Sequence, residues 1–133
     1  SGKGFYEYST DKKGKPVKTL DPTTYELLKP HCAEPKEFSD EEIVARLMMP
    51  MINELCRCLE EGVVASSAEA DMALIYGLGF PPFRGGLLRW LDEIGAESLA
   101  TMANATAQLG SLYAMPALLE KHLADGAAFY PVA

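Results

Sequence analysis

The chain has 133 residues, 48% of them apolar, and a formal charge of −7. That is enough for one domain with a core, and such a surface repels nucleic acid, anionic lipid and the phosphates of nucleotides or coenzyme A wherever no basic patch intervenes. No apolar run approaches the ~20 residues of a membrane span, and no charged, apolar, then small-residue leader follows Ser1.

Residues 1–20 read as a short extended tail from a preceding unit, followed by a linker: SGKGFYEY sets aromatics beside glycines, and TDKKGKPVKTLDP is polar and rich in turn formers. Its lysine cluster, Lys12 to Lys18, reads as a solvated loop. The domain proper is expected over residues 21–133. A short helix opens there, with Asp21 as N-cap and Pro22 in its first turn. Ser39 with Glu42 forms a capping box for a long helix that Gly62 stops. Ile43, Leu47, Met48, Met51, Ile52, Leu55 and Leu59 recur on it at spacings of three and four and are expected to face the core. Ser66 with Glu69 caps the next helix, through Ala70, Ala73, Leu74 and Tyr76. That helix breaks at Gly77 and Gly79, crosses Pro81-Pro82 and restarts after Gly85-Gly86 as a helix to Ile94. Ala96–Leu109 reads as helical, and Pro116 opens a last helix over Ala117–Leu123. No segment alternates at period two, so the expected class is all-α. The expected core comprises Ile43, Leu47, Met51, Leu55, Leu74, Leu87, Trp90 and Leu91.

No constellation for catalysis, cofactor binding or metal ligation emerges. His31 and His122 fall in different regions and read as ordinary solvated histidines. Glu41-Glu42 and Glu60-Glu61 are neighbours only in sequence, because adjacent helical side chains diverge by about 100°. Ser66-Ser67 reads as a cap. Gly77-Leu78-Gly79 lacks the third glycine of a dinucleotide loop, with Pro82 in its place, and follows a helix rather than a strand. Cys32, Cys56 and Cys58 are odd in number, and the i, i+2 pair cannot converge with His31-Cys32 as a zinc site. Free thiols suit a reducing, cytoplasmic setting. Arg84, beside Gly85-Gly86, is the one cation placed to meet an anion near helix amides, and a surface ion pair or a carbonyl cap is its expected role.

The run Ala70–Gly95 carries D-x-A, then G-x-G-F-P-P-F-x-G-G, then L-D-x-x-G. With Ile43–Gly62, IVARLMMPMINELCRCLEEG, it resembles the C-terminal domains of L-3-hydroxyacyl-CoA dehydrogenases, above all the last domain of the bacterial multifunctional fatty-acid oxidation α subunit. The likeness runs from GKGFY to the terminal FYP. It implies a helical domain similar to the C-terminal domain of 6-phosphogluconate dehydrogenase. It also implies a parent with an NAD-binding Rossmann domain, and in the multifunctional members an enoyl-CoA hydratase/isomerase domain and a separate thiolase β subunit.

In such proteins the catalytic His and its partner Glu belong to the Rossmann domain, and no βαβ pattern occurs in this chain. The helical domain adds an Asn in a V-N-R-L motif, where this chain reads Val44-Ala45-Arg46-Leu47. A methyl at Ala45 cannot bind a substrate oxygen. The resemblance therefore implies the second of two helical repeats, without its site, covering the first as a partner subunit does in shorter dimeric members. Catalytic, cofactor-binding and metal residues are expected to be none, with NAD and acyl-CoA held by the rest of the parent. The alternatives are a self-standing helical interaction domain docking through the Gly-Pro corner, and a small acyl-CoA-binding domain with its own site.

Overall fold

In the computed structural model, which describes residues 4–131, the chain forms two compact units, Ser1–Glu37 and Phe38–Ala133. Gly2 and Lys3 of the GKGFY stretch lie outside the described residues.

The first unit is not an extended tail. Strands β1 (Tyr6–Thr10) and β2 (Pro16–Leu20) pair antiparallel, with Tyr6 opposite Leu20 and Tyr8 opposite Lys18. The lysine cluster supplies the turn and the second strand. Asp11 Oδ1 accepts from the backbone N–H of Lys13 and of Lys15, each at 2.8 Å, which folds the loop. Every residue of both strands is exposed, so the hairpin lacks the half-buried alternation that marks a strand in sequence. Helix α1 (Pro22–Leu28) starts as expected, with Asp21 accepting from Thr23 N at 2.9 Å. It belongs with the hairpin: Asp21 N donates to Phe5 O, Thr24 Oγ1 donates to Gly4 O, and Phe5 packs edge-on against Tyr25. The division of the chain therefore falls between residues 37 and 38, where residue 21 was expected to open the larger domain.

The second unit is a helical bundle of α2 (Asp40–Glu60), α3 (Ser67–Leu78), α4 (Leu87–Thr106) and α5 (Ala117–Asp125). Both serine caps are present, Ser39 Oγ accepting from Glu42 N and Ser66 Oγ from Glu69 N, each at 3.2 Å. Gly95, at φ 79 and ψ 164, divides α4 into the two helical pieces expected on either side of it. The second piece continues as short 3₁₀ turns over Ala107–Leu109 and Ser111–Tyr113.

Helix α2 runs through Pro50 without interruption. A proline there cannot donate to the carbonyl four residues back, Arg46 O. The Tyr113 hydroxyl, arriving from the 3₁₀ turn, donates to that oxygen at 3.2 Å instead. Asn53 Nδ2 and Arg57 Nη2 bind Leu112 O and Ala114 O on the same segment.

The core gathers Met49, Ile52, Leu55 and Cys56 with Ala70, Leu74, Leu87, Leu88, Leu91, Leu99, Ala103 and Leu119. Four of the eight expected core residues lie outside it. Ile43 and Leu47 are exposed and Met51 and Trp90 half-buried, while Leu55, Leu74, Leu87 and Leu91 are buried as expected. Helix α2 is apolar on more than one side, and the buried side is the one bearing Ala45, Met49, Ile52, Asn53 and Cys56. The larger side chains at Ile43, Val44, Leu47 and Met51 lie a third of a turn or more away.

Candidate functional site

The face that α2 leaves uncovered adjoins the Gly-Pro corner. Val44, Met48 and Met51 of α2, Leu78 at the end of α3, Phe80 and Pro81 of the corner and Trp90 of α4 line a groove of about 400 Å³. Arg84 is its one charged lining residue; it pairs with Glu93 at 3.7 Å and lies over the Phe83 ring, the surface ion pair expected of it. On this side Leu47 is 68% exposed and Leu78 72%, and Phe83 on the corner is 83% exposed. Large apolar side chains at such exposure thus surround one groove.

The corner is held rigidly. Helix α4 has no side-chain cap of its own, because Gly86 stands at its N-cap. Asp71 of α3 caps it instead: Oδ1 accepts from Leu88 N at 2.8 Å and Oδ2 from Arg89 N at 3.2 Å. The Tyr130 hydroxyl donates to the same Oδ2 at 2.8 Å, and the Asp71 carboxylate is buried. Burial and this neighbouring carboxylate push the Tyr130 phenol up to about 12. Gly86 presses on Asp71 so closely that a Cβ there would sit 2.1 Å from Asp71 Cγ. Asp92, one turn further along α4, accepts from Phe129 N and Tyr130 N, each at 2.9 Å. The Asp of D-x-A, the paired glycines, the Asp of L-D-x-x-G and the closing Phe-Tyr thus form one interlock. In the sequence the motifs stand out, but nothing local marks a role for the two aspartates. The available signal was an acidic residue inside an otherwise apolar helical pattern.

Glu60 and His122 have structural partners. Glu60 accepts from Leu118 N and caps α5. His122 is half-buried rather than solvated: its ring stacks on Phe129 at 4.1 Å. Burial lowers its pKa, and Asp92 opposes the shift. Cys56 is buried and its thiol pushed up to about 12, by desolvation first and Glu60 second, which makes it a poor nucleophile. Cys58 is half-buried, and Cys32 and His31 are exposed on the first unit. Among the described residues no group of three His, Cys, Asp or Glu side chains converges as a metal site. Gly79 ends α3 and leads into Phe80, whose N–H donates to Leu74 O. Ala45 is buried on the core side of α2.

Residues 43–128 match the family described as 3-hydroxyacyl-CoA dehydrogenase, C-terminal domain. The chain belongs to this family. The 3-hydroxyacyl-CoA dehydrogenase C-terminal domain is helical, as the second unit is. The chain is also 53% identical over 126 residues to the fatty acid oxidation complex subunit alpha of Colwellia psychrerythraea strain 34H. That alignment covers 95% of the chain and 16% of the relative, so this example of the family spans about one sixth of the length of the protein it resembles. No helix among the described residues is long and apolar enough to cross a membrane.

Proposed function

We propose that this chain is a non-catalytic packing domain of a longer fatty-acid β-oxidation polypeptide. Its parent would oxidise L-3-hydroxyacyl-CoA with NAD bound in a Rossmann domain, fused to an enoyl-CoA hydratase/isomerase, in the cytoplasm. The observation that carries the reading is the uncovered apolar face along α2 and the Gly-Pro corner, in a chain matching only 16% of its relative. A stable interface buries about 800 Å² on each partner. Residues 1–20 would close the preceding helical domain, and that domain would be the face's first partner, ahead of a thiolase β subunit. The polar residues that reactions need are occupied here: Asp71, Asp92 and Glu60 hold backbone N–H groups, and the position for a substrate-binding Asn is Ala45. NAD and acyl-CoA would be held entirely by the rest of the parent.

The test charges the face. Leu47→Glu with Phe83→Glu should leave the isolated chain within about 0.5 kcal/mol of its original stability, since both residues are exposed. In the full-length parent the same pair should lower thermal stability or dehydrogenase rate. A parent that keeps both would overturn the packing role. Calorimetric NAD binding, or 3-hydroxyacyl-CoA oxidation, by the isolated chain would overturn the non-catalytic one. Assembly of the isolated chain with an unrelated protein through this face would favour the self-standing interaction domain.

A further inference from the structure

The segment after α5 lies along the first turns of α4 and reaches back to the corner. Asp92 holds it by two backbone N–H groups, from Phe129 and Tyr130. Tyr130 then extends to Asp71, whose two oxygens already carry Leu88 N and Arg89 N. The Arg89 guanidinium covers the Tyr130 ring at 3.9 Å, so Arg89 meets the interlock with both its backbone and its side chain.

We propose that this segment is a strap that sets the position of the Gly-Pro corner, with Tyr130 as a positioning residue acting through Asp71. The carboxylate determines where the backbone leaves the corner, because Gly86 lies directly against it and the first free N–H groups of α4 point at it. Two of the three donors on that carboxylate come from α4 itself and move with the corner. Tyr130 is the third; Asp92, one turn further along α4, holds its backbone, so its hydroxyl ties Asp71 of α3 to α4 by a second route. Loosening the strap therefore removes that second tie and leaves the first turn of α4 held to Asp71 by its own two N–H groups. The corner supplies Phe80, Pro81 and Arg84 to the apolar groove, so the strap controls the shape that the groove presents. That last consequence rests on the docking role proposed above; the coupling between Tyr130 and the corner does not.

Tyr130→Phe keeps the ring and its contact with Arg89 and removes only the hydroxyl, and Asp92→Ala releases the anchor. In both variants, amide exchange at Leu88 and Arg89 and tryptic cleavage after Arg84 should accelerate about tenfold, with Ile52 and Leu55 in the middle of α2 changing less than about twofold. Leu88 and Arg89 exchanging at the original rate in both variants would overturn the proposal. So would exchange that rises in step across α2 and α4, which is the mark of general destabilisation. These readouts lie within the chain and need no partner, so their failure is distinct from failure of the charged-face experiment.

Discussion

Gly86→Ala should be the most damaging small substitution in the bundle, for a reason separable from backbone strain. Gly86 sits at φ 123 and ψ 171, a region essentially confined to glycine, where an L side chain costs about 1–3 kcal/mol. Its Cβ would also lie 2.1 Å from Asp71 Cγ and 2.3 Å from Asp71 Cβ, inside a well-packed junction. Relieving that overlap moves the carboxylate off Leu88 N and Arg89 N, and overpacking of this kind costs a further ~1–3 kcal/mol. The sum, about 2–6 kcal/mol, is a large share of the ~5–15 kcal/mol that holds a typical domain together. Gly62→Ala is the control: its φ is 70 and a Cβ there meets nothing within 4 Å, so it should cost only about 1–2 kcal/mol. Urea unfolding followed by circular dichroism gives both values. Equal losses in the two variants, or a Gly86→Ala protein within about 1 kcal/mol of the original, would refute the close-approach argument.

Tyr113→Phe should cost about 1 kcal/mol by leaving Arg46 O short of a donor, and that cost should vanish in a Pro50→Ala background, where residue 50 regains its own N–H; a double-mutant cycle in urea measures the coupling. Burial lowers the His122 pKa below its ordinary 6.5, so its share of stability is complete above pH 6.5 and is lost as the pH falls from there through the folded value; His122→Gln should flatten that part of the stability–pH curve, and an unchanged curve would count against the buried ring. Ala45→Asn should lower stability by about 1–3 kcal/mol by placing an amide on the core side of α2, and should yield no dehydrogenase activity in a standard NADH assay of the isolated chain.

Local chemistry was the legible part. Asp21, Ser39 and Ser66 cap helices in sequence as they do in space, because a cap and its N–H groups lie within three residues of one another. Gly95 was legible as a break for the same reason. The hairpin was not, since every residue of both strands is exposed and no buried face imposes an alternation on the sequence. Nor was the core side of α2: size and hydropathy pointed to Ile43 and Leu47, whereas small or polar Ala45, Asn53 and Cys56 are the buried ones. The uncovered face was thus visible in the sequence but mistaken for core, because both kinds of surface are made of the same residues. The roles of Asp71 and Asp92 depend on partners 17 to 59 positions away, and no periodicity reports such pairs.

The origin of the helix caps has a consequence for how the chain folds. Helices α2 and α3 carry their own caps, so each can flicker into existence in the unfolded chain before anything docks. Helices α4 and α5 begin on Gly86 and Pro116 without one, and borrow carboxylates from α3 and α2. Their first turns are stabilised only once the earlier helices are in place. A transition state built around α2 and α3, with α4 and α5 joining later, follows from that dependence. Substitutions at Ser39 or Ser66 should then slow refolding, while those at Asp71 or Glu60 chiefly hasten unfolding.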